Sequence, residues 1–482
     1  MGLIYLIAFL SLTVQVRGLI GQDGILPAGE FMTAARTWAG TQQIGIDRFR
    51  VLPTLFWAST SDGVLQGTCL AGAALAVLLM AGIAPVVLLP LLWVGYLSLV
   101  VVGRVFLWYQ WDILLLEAGS LAIFIAPLVW RHSLGRPIEP PRIALWLLWW
   151  LLFRLMFESG VVKLASGDAT WRGLTALTFH YDTQPLPTPV AWYMHQLPRW
   201  FQRGSTAAVL GIELAFPWLI FTPRRLRLVA CAILVWFQGL IWLTGNYTFF
   251  NLLTMALSVL LVDDATVDRL MQKLGTHRPI ATPAVSRPVG WRSLILAMVV
   301  LITVPVSFVT LVREFRVNPP GWQIVEPIAD VIEPFQSVNG YGLFAVMTTT
   351  RPEIVIEGSS DGTTWRPYEF KYKPGDVTRR PPWVAPHQPR LDWQMWFAAL
   401  GSDEFSWLER FCQRLLEGSP EVLRLLASDP FAGRPPQFVR AVRYDYRFAD
   451  LSTHRTQGVW WTRTELGQYN SVMSRPTLSP KP

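Results

Sequence analysis

Three ionisable residues interrupt one long apolar run of this chain. Arg154, Glu158 and Lys163 fall within residues 142–164, a stretch otherwise dominated by Leu, Trp and Phe. Arg154 and Glu158 are four apart and share a helix face, and Lys163 lies five further on, near the end of the run. A second set, Arg104, Asp112 and Glu117, encloses Trp108, Tyr109, Gln110 and Trp111. Placing a charge in hydrocarbon costs about 2.5–3.5 kcal/mol even on the lenient insertion scale, so such residues are functional candidates by default. Two readings stay open. In one, the charges pair and fix helix register, with Lys163 snorkelling to the interface. In the other, a partly desolvated Lys163 is a base acting on a lipid-soluble substrate, with Glu158, Arg154, His180 and Asp112 as charge partners.

Past Lys163 the chain is unusually polar: Asp168, Trp171, Arg172, Thr178, His180, Tyr181, Asp182 and Gln184 precede Pro185, Pro187, Pro189 and His195. Two histidines fifteen apart with no third ligand nearby do not predict a metal site, and aromatics at this depth read as an interfacial belt. No GxSxG, HExxH, P-loop or dinucleotide fingerprint is present, so no metal or cofactor is expected. The three cysteines, Cys69, Cys231 and Cys412, are far apart with no CxxC, so neither a disulfide framework nor thioredoxin-like redox chemistry is indicated. Asn246-Tyr247-Thr248 is a sequon, but it lies so near an apolar run that a helix cap by Asn246 is the expected role.

The elements that hold these residues must be membrane helices. Of 482 residues, 52% are hydrophobic and 15% charged, against about 25% charged in soluble domains. Nine stretches approach the length of a span: 3–20, 66–83, 85–102, 112–130, 142–164, 206–222, 226–244, 246–262 and 293–313. The first lacks a basic leader and an A-x-A site, so it reads as a retained helix. Gly82 to Pro85 divides the second stretch from the third, and 246–262 is short enough to be re-entrant. Basic residues concentrate in 131–142 (Arg131, Arg136, Arg142), 223–227 (Arg224, Arg225, Arg227) and 263–292 (Arg269, Lys273, Arg278, Arg287, Arg292). The segments 21–65 and 165–205 are longer and poorer in them, which places the N-terminus in the cytosol and the C-terminal part outside it. The net charge of +8 is therefore an orientation signal, and no nucleic-acid partner is expected.

After Arg313 the composition changes. Glu353 to Glu357, Trp365 to Tyr372 and Phe438 to Phe448 alternate like strands, Ser359 to Gly362 is turn chemistry, and 391–400 and 403–428 read as helical. The expected architecture is thus a polytopic α-helical membrane bundle, residues 1–313, followed by a mostly-β α+β domain, residues 314–482. Aromatic, proline-rich loops around Phe335, Tyr341, Trp383, His387, Trp393 and Trp396 either present a contact surface to a partner or pack on the chain's own membrane part.

Several runs resemble the lipase maturation factor family. They are Gly18 to Ala28, Tyr109 to Glu117, Arg154 to Leu164, Leu177 to Pro187, Pro334 to Phe344, Tyr368 to Gly375 and Ala385 to Ala398. The resemblance spans nearly the whole chain. It implies a chaperone-like, multi-pass protein of the endoplasmic reticulum membrane whose lumenal domain helps secreted lipases fold, assemble and leave. For a bacterial source the implied membrane is the inner one, with a periplasmic domain. A shorter run, Gly160 to Leu164 with Trp171 and Gly173, is similar to vitamin K-dependent gamma-carboxylase. That likeness implies Lys163 as a base toward a reduced quinone, although this chain has one lysine where that family has a pair. The expected partners are membrane lipid and, through the aromatic loops, a secreted client.

Overall fold

The computed structural model describes residues 1–131, 139–273, 275, 290–401 and 406–475. Arg136, Arg278, Arg287 and the start of the predicted 403–428 helix lie outside the described residues. The membrane part contains α1 (Gly2–Thr13), α2 (Asp62–Met80), α3 (Pro85–Gly103), α4 (Gln110–Ile125) and α5 (Arg142–Ala165). It continues through the short α6 (Ala176–Thr183) to α7 (Arg199–Ala215), α8 (Arg224–Thr244), α9 (Phe250–Val259) and α10 (Gly290–Arg313).

The expected count of nine spans is not confirmed. Among the described residues six helices are long and apolar enough to cross a bilayer, or seven if α9 and Asp264–Lys273, bent by 95°, form one span. α1, α4 and α9 have 12, 16 and 10 residues, short of the roughly 20 that a crossing needs. Local causes end them. The first apolar stretch turns at Val14 and Gln15 before resuming as Val16–Ile20, and the Gln15 amide donates to Ser11 O at 2.6 Å and to Gln388 O at 2.7 Å. α4 stops at Ala126, which is extended because Pro127 follows it. The division between α2 and α3 is as the sequence predicts: Gly82 has φ +76°, and Pro85 is the first residue of α3.

The remainder is α+β. A small antiparallel sheet is formed by β1 (Pro352–Ser359), β2 (Arg366–Pro367), β3 (Phe438–Phe448), β4 (Trp461–Gln468) and β5 (Met473–Ser474). Its order is β2-β1-β3-β4, with β5 also on β3, and Val355 faces Val442 in the central pair. The alternation from Trp365 to Tyr372 yields only the short β2 and an isolated Phe370–Leu426 bridge, since Pro367 and Pro374 withhold ladder donors. Against the sheet lie α11 (Arg390–Ala399) and α12 (Ser406–Glu417). One hydrophobic core runs through both parts, joining Tyr5, Phe9 and Trp111 to Trp393, Phe411 and Val439. The interface is therefore packed as an interior.

Candidate functional site

Three buried charge clusters fasten the α+β part to the helices. In the first, the Arg390 guanidinium grips Asp112 with two bonds, Nη2 to Oδ1 at 2.8 Å and Nη1 to Oδ2 at 2.9 Å. Tyr96 donates to Asp112 Oδ1 at 2.5 Å, and Arg390 also donates to Phe106 O at 2.6 Å. Both side chains are buried, and the bidentate fork is the strongest common form of such a pair. Arg104 is not Asp112's partner: it donates to Leu26 O and lies over Phe31.

The second cluster is centred on Arg154, which pairs with Glu117, donates to Asn339 O at 2.8 Å and lies 3.9 Å from Glu158. Glu117 Oε2 accepts from Asn339 N at 2.9 Å and from Tyr341 OH at 2.8 Å, and Glu158 Oε2 accepts from Tyr341 N at 2.9 Å. The third was not visible in the sequence. Buried Arg351 donates to Asp182 O at 2.6 Å, Pro185 O at 2.8 Å and Glu353, while Lys373 closes on Glu353 at 2.9 Å. The polar segment 165–205 is thereby tied to the sheet, and Trp192 adds a bond to Ala449 O at 3.0 Å.

Lys163 stands apart from these. Its ammonium donates to Ser159 O and to Glu213 Oε1, each at 2.9 Å, and lies 5.2 Å from the centre of the Trp171 ring. Its partner is thus Glu213 of α7. Glu213 is the one acidic residue in the apolar run 206–222, so the rule that singled out Arg154 could have found it. The pair forms one wall of a cavity of about 620 Å³, lined mainly by apolar residues such as Leu155, Val209, Ile212 and Phe237, and also by His180 and Asn251. Of the five residues considered for chemistry, the cavity gathers Lys163 and His180. Arg154, Glu158 and Asp112 are engaged in the clusters above and do not line it.

His180 is held by a chain of bonds whose polarity can be read. Gln184 Nε2 donates to Thr244 O at 2.9 Å, so its Oε1 accepts from Tyr247 OH at 2.8 Å. The Tyr247 oxygen, 3.2 Å from His180 Nε2, must then accept, which puts the ring proton on Nε2 and leaves Nδ1 a bare acceptor. Burial, reinforced by Lys163, pulls His180 down to about 4, so the ring is neutral near pH 7. His195 lies 4.0 Å from Asp182, and among the described residues no cluster suits a metal ion.

The six residues expected at a contact surface are placed differently from one another. Trp383 is 52% exposed. Tyr341, Trp393 and Trp396 are buried: Tyr341 sits in the Arg154 cluster, Trp393 packs against Trp111 at 4.6 Å, and Trp396 donates to Thr183 O at 2.9 Å. Phe335 stacks on Trp93, and half-buried His387 meets Ser11 Oγ at 2.9 Å. Asn246 does not cap α9. It clamps the Pro382–Ala385 loop, donating to Pro382 O at 3.0 Å and accepting from Val384 N at 2.8 Å.

These features define a multi-pass membrane protein whose α+β end is bolted to its helices by buried ion pairs beside a largely apolar cavity. The family profile for the lipase maturation factor transmembrane domain matches residues 1–269, and that for the lipase maturation factor C-terminal domain matches residues 337–471. The chain belongs to the lipase maturation factor family. Lipase maturation factor 2 of Gallus gallus is 39% identical, over 98% of this chain and 80% of its own length. Lipase maturation factor 2 of Homo sapiens is 38% identical over 98% and 82%, and lipase maturation factor 1 of Homo sapiens is 35% identical over 100% and 87%. No solved structure matches.

Proposed function

We propose that this protein assists the folding and release of secreted clients, lipases foremost, from the non-cytosolic face of its membrane. The observation that carries this reading is likeness to lipase maturation factors along both the helical and the α+β parts, at 35–39% identity. The side assignment draws support from helix direction and does not need a count of spans. α5 and α8 begin at Arg142 and Arg224, and their far ends lead to segments that meet the α+β part, through Trp171 to Phe344 and Asn246 to Pro382. α10 begins near Arg292 and its far end, Arg313, leads directly into the α+β part. The arginine-rich ends are therefore opposite the α+β end, as expected if they face the cytosol. In a eukaryotic cell the membrane is that of the endoplasmic reticulum, with the α+β part lumenal.

Of the six residues expected at a contact surface, Trp383 is the most available to a client, being a large apolar side chain held exposed in a proline-rich loop. The test removes the protein from its own cell and follows secreted lipase activity. We expect a several-fold fall, restored by the wild-type chain, together with a photo-crosslink from position 383 to a newly made lipase. Unchanged secretion after removal would refute the proposal.

A further inference from the structure

The cavity beside Lys163 has a door. Trp236, Leu240 and Leu243 of α8 line it and are also exposed, at 60%, 39% and 50%. Trp236 lies well inside α8, and both α8 and α7, which supplies the facing wall, belong to helices apolar enough to cross a bilayer. The opening therefore faces hydrocarbon, from which a ligand would enter sideways. A volume of about 620 Å³ sits within the roughly 300–1,000 Å³ typical of small-molecule sites. Close packing is the rule in protein interiors, so a lined space of this size asks for an occupant.

The polar end states what kind of occupant. Lys163 and Glu213 neutralise each other within the wall, so a charged head group would find no free counter-charge there. Two buried acceptors on lining residues lack a partner among the described residues, His180 Nδ1 and Asn251 Oδ1. Asn251 is 1% exposed, and its Nδ2 is already given to Gln238 Oε1 at 2.7 Å. Unsatisfied acceptors in an apolar site call for O–H donors. We propose that the cavity holds a single-tailed, uncharged, hydroxyl-bearing membrane amphiphile of the monoacylglycerol type, its tail among Val209, Ile212 and Phe237 and its hydroxyls toward His180 and Asn251.

The experiment uses the full chain in phosphatidylcholine vesicles with a monoacylglycerol carrying a diazirine on its tail. Saturable labelling should map to α7 and α8. An excess of monooleoylglycerol should suppress it at least tenfold, whereas equal oleate or lysophosphatidylcholine should not. Ser205→Trp, which fills the cavity from α7, should lower labelling about tenfold, while Leu301→Trp on the exposed face of α10 should leave it intact. Should Ser205→Trp not fold, His180→Phe with Asn251→Leu takes its place, removing both acceptors and weakening competition by monooleoylglycerol. Non-saturable labelling spread over all exposed helices, or equal competition by the charged amphiphiles, would overturn the proposal.

Discussion

Arg390 and Asp112 are 278 residues apart in sequence, yet they form a buried, two-bonded ion pair at 2.8 and 2.9 Å. One opens α11 of the α+β part, the other lies in the first turn of α4 among the helices of the membrane part. Their union, with Arg154 and Tyr341 at Glu117 and Arg351 at the 182–185 carbonyls, makes the two parts one body. Breaking a buried pair on one side leaves a bare charge, which costs roughly 3–5 kcal/mol, more than deleting both partners together.

Arg390→Met should therefore lower stability by roughly 3–5 kcal/mol, and Arg390→Met with Asp112→Leu by less. Thermal unfolding of detergent-purified protein measures both. A double variant no better than the single one would show that the pair is not the reason Asp112 is tolerated.

Lys163 and Glu213 should behave likewise. Lys163→Met and Glu213→Leu should each destabilise by roughly 2–4 kcal/mol, with a coupling of at least about 1 kcal/mol in the double-mutant cycle. Additive losses would mean that the 2.9 Å contact carries no energy of its own.

Acid should loosen the protein. Burial pulls His180 and His387 down to about 4, with Lys163 adding to the effect on the first and Arg390 on the second. Between about pH 6.5 and 4 the unfolded chain takes up protons that the folded one refuses, so stability falls as pH falls through that window. Across that window each histidine accounts for a loss of roughly 1–3 kcal/mol of stability. In a melting series over this range, His180→Phe and His387→Phe should each flatten the dependence. A wild-type profile level from pH 7 to 4 would contradict the assignment.

Gly18 tests the contact between the first apolar stretch and the Glu421–Leu425 segment of the α+β part. A Cβ there would stand 2.5 Å from Glu421 O, a backbone atom that cannot swing aside. Gly18→Ala should cost roughly 1–3 kcal/mol as overpacking, read as a lower unfolding midpoint.

Asn246 should carry no sugar despite its sequon, because its amide is 1% exposed and committed to Leu186, Pro382 and Val384. In a glycosylation-competent membrane system, endoglycosidase treatment should leave the mobility of the wild type and of Asn246→Gln equal.

Much of this was legible because hydrocarbon makes charge conspicuous: Arg154, Glu158, Glu117 and Asp112 announced themselves by lying in or beside apolar runs. Arg390 did not, since an arginine in a polar loop is ordinary until the fold buries it. The break in the first helix was hidden for a related reason, being bonded to Gln388, 373 residues further along the chain. β4 was invisible because it is an edge-facing strand with most residues exposed, so Trp461 to Gln468 lacks apolar alternation. The Lys163 site was half readable, through its lysine and histidine. The helix contact bringing Glu213 opposite them is a tertiary fact.

The ion pairs also impose a timetable. At roughly 5–20 residues per second of synthesis, Asp112 waits roughly 15–55 s for an arginine made 278 residues later. During that interval its carboxylate lacks the cation that it pairs with in the finished fold. A product cut short before Arg390 is left with that carboxylate bare, whereas one cut after Ser474 keeps every partner described above.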